Sequence, residues 1–167
     1  MVKIGLLSDT HSVLDERVFK YFAEVDEIWH AGDIGNLQVA DKLEAFKPLR
    51  AVWGNIDGKD ARLRFSLDLR FEIAGLSVFM THIGGYPSRY LPRVRQLFDE
   101  WRLQNTLPKL YICGHSHILK VMPDPKYGFL HINPGAAGNE GFHKVKTLIR
   151  FEIEDGKIRN LEVIELS

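Results

Sequence analysis

Five short apolar runs in this chain each stop at a polar block of Asp, Asn or His, and no other feature constrains the fold as much. Residues 2–8 run into Asp9-Thr10-His11, and 26–31 into Gly32-Asp33. Residues 49–53 run into Gly54-Asn55-Ile56-Asp57, 76–81 into His82, and 109–113 into Gly114-His115-Ser116-His117. Apolar runs of this length read as buried strands. In an α/β sheet, the loops at the carboxyl ends of the strands are where ligands bind. The pattern therefore predicts a sheet architecture with one polar edge.

The segments between the runs fit that architecture. Residues 15–25 read as a helix through Val18, Phe22 and Val25. Asn36 is a plausible N-cap for a helix over 37–46, with Leu37, Ala40, Leu43 and Phe46 on one face and Pro48 as its stop. Residues 66–74 and 76–81 suggest a hairpin around Gly75. Leu91, Val94, Leu97, Phe98 and Trp101 predict an amphipathic helix over 88–104. Asp155-Gly156 is a strong hairpin turn. A βαβαβ start followed by a β-rich half predicts two packed sheets with helices outside, an α/β sandwich.

The 167 residues suit a single domain spanning 1–167. Size scaling gives about 8,400 Å² of folded surface against roughly 28,000 Å² unfolded, enough burial for a real core. Lys plus Arg equals Asp plus Glu at 22 each, which argues against nonspecific binding to nucleic acid or an anionic membrane. The lone Cys113 excludes an intrachain disulfide and a thiolate metal cluster, and reads as core. The opening run is too short for a signal-peptide core and no segment reaches membrane-span length, so a cytoplasmic protein is expected.

Asp9, His11, Asp33, Asn55, His82, His115 and His117 offer only oxygen and imidazole nitrogen. That donor set suits divalent ions such as Mn²⁺, Fe²⁺ or Zn²⁺. Seven donors are too many for one ion with open positions, whereas two ions sharing a carboxylate use them economically. Taken singly, each block is an ordinary turn; their joint occurrence, each at a strand end, carries the reading. Asp57 and His30 are candidates for supporting roles behind the ligands. His143 and Arg89 are candidates for substrate contact, with Tyr86 and Tyr90 near the pocket mouth.

In order, these blocks are D-x-H, G-D, G-N-x-D, H and G-H-x-H, over residues 9–117, and they resemble the calcineurin-like metallophosphoesterases. The small size and Asn133-Pro134-Gly135 are similar to the family's compact phosphodiesterase branch, whose fold a vesicle-sorting scaffold subunit also shares. The resemblance implies a four-layer α-β-β-α sandwich. It implies a first metal on Asp9, His11 and His117, a bridging Asp33, and a second metal on Asn55, His82 and His115. Asp33, Asn55 and His82 thereby count as catalytic, and Asn55 also as a contact for the substrate phosphate. The implied reaction is attack of a metal-activated hydroxide on a small-molecule phosphoester, a diester before a monoester. Mn²⁺ is the expected ion, with Fe²⁺, Zn²⁺, Ni²⁺ and Co²⁺ as alternatives. Rival readings are a monoesterase, nucleotidase or phosphoprotein phosphatase with the same site, and a non-catalytic scaffold.

The chain departs from the family's pattern at three places. Ile56 stands where many relatives carry a proton-donating histidine, His82-Ile83-Gly84 replaces His-Gly-His, and Ala136 follows Asn133-Pro134-Gly135 in place of serine.

Overall fold

A computed structural model describes residues 1–166. The first sheet contains β1 (Val2–Leu7), β2 (Glu27–His30), β3 (Leu49–Ala51), β11 (Lys146–Glu154) and β12 (Lys157–Leu166), in the order β12-β11-β1-β2-β3. The second contains β4 (Asp68–Ile73), β5 (Leu76–Thr81), β8 (Leu110–Ile112), β9 (Lys120–Pro123) and β10 (Leu130–Asn133), in the order β4-β5-β8-β10-β9. β1, β2 and β3 are parallel, as are β5, β8 and β10, while β11, β12, β4 and β9 join antiparallel.

Alternation along the strands sets the layers. Ile4 and Leu6 of β1 point inward, where they meet Val78 and Met80 of β5 and Ile112 of β8 in a core between the two sheets. Leu7 points outward, into a second core with Val18 and Phe22 from the first helical segment and Leu43 from the second. Those helices are α1 (Arg17–Tyr21) and α2 (Leu37–Phe46), and the Asn36 side chain caps α2 by accepting from Gln38 N–H at 2.9 Å. The second sheet's outer face packs Phe79, Tyr111 and Phe129 against Val94 and Phe98 of α4 (Pro92–Leu103). The result is the four-layer α-β-β-α sandwich.

Three stretches differ from the sequence-based expectation, the first being the helix expected over 15–25, which spans only Arg17–Tyr21. The helix expected over 88–104 begins at Pro92, because the residue before a proline avoids helical geometry and Leu91 is extended. Ahead of it, β6 (Gly85–Tyr86) and β7 (Arg89–Tyr90) form a small hairpin. A short helix, α3 (Lys59–Arg64), follows the Asn55 block; its sequence, KDARLR, has too little apolar periodicity to announce it. Among the described residues no helix is long and apolar enough to cross a membrane.

Candidate metal centre

The parallel strands deliver all five polar blocks to one edge of the sandwich. Two groups form there: Asp9, His11 and His117, and separately Asp33, His82 and His115, with donor atoms within 4.8 Å of one another in each group. Each group draws on both sheets, since Asp9, His11 and Asp33 follow β1 and β2 while His82, His115 and His117 follow β5 and β8. Asp33 Oδ2 lies between them, 3.3 Å from His11 Nε2 and 3.1 Å from His82 Nε2. Asp9 Oδ1 lies 3.1 Å from His117 Nε2 and 3.7 Å from His82 Nε2. Asn55 Oδ1 sits 3.0 Å from His115 Nδ1, beside the second group.

Close backbone approach makes this packing possible. A Cβ on Gly54 would meet Asp33 Oδ1 at 2.1 Å, and one on Gly32, whose φ is +101°, would meet the His82 ring at 2.6 Å. Asp9, His11, Asp33, His115 and His117 themselves have φ between 45° and 71°. Such left-handed backbone is uncommon for residues with a Cβ and is held only where the surroundings over-determine it.

Neighbouring groups aim the donors. Asp9 Oδ2 accepts from Ser8 Oγ at 2.6 Å and from His115 N–H at 3.2 Å, which turns Oδ1 into the site. His82 Nδ1–H donates to Ala31 O at 2.7 Å, leaving the Nε2 lone pair forward. Asp33 Oδ1 accepts from Ile56 N–H at 3.0 Å. Asp57 is not among the clustered donors. Its carboxylate accepts backbone N–H from Ile34, Gly35 and Gly54, tying the loops after β2 and β3 together.

Two of the candidates sit behind the donor atoms. His30 touches no ligand side chain: its Nδ1 accepts from Gly32 N–H and its Nε2 meets Thr10 Oγ1, so it braces backbone, and burial lowers its pKa to about 4. His143 is not free to meet a substrate, because both ring nitrogens are engaged. Its Nε2–H donates to Gly138 O at 2.8 Å, and its Nδ1 lies 3.3 Å from His117 Nδ1, behind that ligand. Arg89 lines a cleft next to His115. Sequence reasoning missed Ser8 and the Asn133 side chain, whose Nδ2 donates to Gly114 O and Ser116 Oγ and clamps the His115 loop. The adjacency of Ser8 to Asp9 was the available signal for the first.

Burial penalises the Asp9 charge, but the facing imidazoles of His11, His117 and His82 hold its carboxyl well below the usual range. Burial likewise opposes the Asp33 charge, and His82 outweighs it. The His11 pKa is raised by the neighbouring Asp9 carboxylate, and His82 is raised by Asp33 and Asp9 against the effect of burial. Burial lowers His115. Asp9 Oδ1, His11 Nε2 and His82 Nε2 are buried with no hydrogen-bond partner. Leaving a buried polar atom unsatisfied costs about 1–3 kcal/mol. Three such atoms converging among carboxylates and imidazoles, two in the first group and one in the second, fit divalent cations, which would satisfy them.

A sandwich with a donor cluster at the strand ends defines the metal-dependent phosphoesterases. The family model described as the calcineurin-like phosphoesterase superfamily domain matches residues 2–156, and the chain belongs to that superfamily. It is 30% identical over 140 residues to the probable metallophosphoesterase of Methanothermobacter thermautotrophicus, covering 80% of this chain and 76% of the relative. A solved structure described as a novel archaeal phosphodiesterase superposes with a TM-score of 0.71 at 25% identity, covering 98% of this chain and 99% of that one. Vps29 of Chaetomium thermophilum superposes at 0.72 with 16% identity, covering 99% and 97%, a likeness of fold alone. The protein is thus a metal-dependent phosphoric ester hydrolase by family.

Proposed function

We propose that the protein hydrolyses phosphodiesters at a centre of two divalent ions, with Mn²⁺ the expected metal. One observation carries this reading: Asp33 Oδ2 faces His11 Nε2 at 3.3 Å and His82 Nε2 at 3.1 Å, one nitrogen from each group. A carboxylate oxygen in that position suits a bridge. Asp9, His11 and His117 would hold the first ion, and Asn55, His82 and His115 the second. Bound ions would supply Lewis acidity toward the phosphoryl oxygens and lower the pKa of water.

The chain's own residues do the rest. His82, anchored on Ala31 O, presents a fixed lone pair. Asn55 is exposed, so its amide is open to the substrate phosphate. Ile56 stands at the rim, 45% exposed, and has no proton to give a departing oxygen. The open edge admits a second ester arm, which favours a diester over a monoester. The relative described as an archaeal phosphodiesterase supports the same choice.

The experiment is metal analysis of purified protein, followed by assay with added Mn²⁺ on bis(p-nitrophenyl) phosphate and p-nitrophenyl phosphate. Two ions per chain and a higher kcat/KM on the diester are expected. One ion per chain, or a faster monoester, would overturn the proposal; full metal loading with no turnover of either ester would favour a scaffold role.

A further inference from the structure

Residues 138–143 run against the first donor group and are fastened there at both ends. Gly138 N–H donates to Asp9 O at 3.1 Å, and the Gly138 backbone lies so close to Thr10 O that a Cβ would strike it. At the other end, a Cβ on Gly141 would strike His117 Nδ1, and His143 Nε2–H donates back to Gly138 O at 2.8 Å. Glu140 is therefore carried between two points of contact, one on the loop after β1 and one on the His117 ring.

Glu140 is exposed, and among the described residues its carboxylate has neither a hydrogen bond nor an ion pair. Its charge nevertheless reaches the donor group. After Asp9 and Asp33, it is the next carboxylate that raises the His11 pKa against burial. Two cations follow it in the chain. Lys146 is held by Asp15 at 3.3 Å, and Lys144, beyond His143, does not pair with Glu140.

An unpaired surface charge adds little to stability, but in this position it acts on any anion the centre binds. Coulomb repulsion scales with the charge of that anion. A phosphomonoester carries close to two negative charges near neutral pH, since its second pKa is about 6, whereas a phosphodiester carries one. A fixed carboxylate beside the centre repels the dianion about twice as strongly.

We propose that Glu140 is a charge filter for this centre: its carboxylate, held beside the first donor group by residues 138–143, disfavours dianionic monoesters relative to monoanionic diesters. This rests on the phosphodiesterase reading above and names the side chain that enforces it.

The test compares p-nitrophenyl phosphate with bis(p-nitrophenyl) phosphate in Glu140→Asp, Glu140→Gln and Glu140→Lys, all saturated with Mn²⁺. Glu140 is exposed and unpartnered, so these variants should fold. The monoester-to-diester ratio of kcat/KM should stay near wild type in Glu140→Asp, rise about threefold or more in Glu140→Gln, and rise further in Glu140→Lys. Those gains should shrink toward one in about 1 M KCl, where the Debye length is about 3 Å; a purely structural role would not respond in that way. A second readout needs no turnover: inorganic phosphate titrated calorimetrically into Mn²⁺-loaded protein should bind Glu140→Gln about threefold more tightly than wild type. An unchanged ratio together with unchanged phosphate affinity would overturn the proposal. So would loss of an ion from Glu140→Gln, which would make Glu140 a metal ligand. A wild type faster on the monoester, with the ratio still rising in Glu140→Gln, would sustain the filter while removing the phosphodiesterase reading.

Discussion

Asp33 divides its two oxygens between backbone and site, one taken by Ile56 N–H and the other left to His11 and His82. Asp33→Asn keeps that shape but weakens both groups at once. Both ions should be lost and kcat/KM should fall on the order of 10³-fold or more; metal analysis and assay of one preparation check this. Ile56 serves Asp33 through its main chain alone, so its side chain can change without disturbing that carboxylate. Ile56→His should therefore raise the rate on alkyl diesters toward the 10²–10⁴-fold that general-acid help provides, while activated aryl esters gain little. A plot of log kcat/KM against leaving-group pKa, steep in the wild type and shallower in the variant, is the expected result. His143 contacts the His117 ring. His143→Ala should weaken metal binding by about 10–100-fold, and His143→Gln should recover part of it, as read by metal titration. That role was not legible in the sequence, because a separation of 26 positions between the two imidazoles hides their contact. The ligand candidates were legible, since each sits directly after a strand and needs only strand direction to converge.

The loops after the strands are where the sequence said least about conformation. Five candidate ligand residues in left-handed backbone cost about 1–3 kcal/mol each, and the enrichment of Asp and His at positive φ is too weak to announce such geometry at a given position. What holds it is cross-bracing between loops, with Asp57 as the principal tie through three backbone N–H groups. Asp57→Ala would orphan those donors and should destabilise the fold by roughly 3 kcal/mol, seen as a lower urea midpoint with an unchanged slope. Elsewhere, elements with strong apolar periodicity were readable, such as α2 with its Asn36 cap and the hairpin at Asp155-Gly156. Elements lacking it were not. α3 and the β6–β7 hairpin are set by tertiary contacts: Arg62 reaches back to Asp57 O at 2.8 Å and lies over Trp53, and Tyr111 Oη donates to Gly85 O at 2.9 Å.

The molecule exposes 8369 Å², close to the surface expected from its mass alone. Its cores are apolar and lie away from the metal centre, so chelation should leave the fold intact, with far-ultraviolet circular dichroism unchanged in chelator. Acid should act differently. His30 and His131 titrate near 6.5 when unfolded and at about 4 when folded, both because burial disfavours their charge. Between those values the unfolded chain binds more protons, so stability is fully present above 6.5 and declines as pH falls toward 4. Melting temperatures measured from pH 7.5 to 4 should drop over that window. The donor groups have a last consequence at this scale. Each takes side chains from both sheets, so a bound ion clasps the two layers across their seam much as a rivet joins two plates. Occupancy would then govern how fast the plates part, through a slower unfolding rate, and the survival time of the chain against a protease would report metal content with no substrate present.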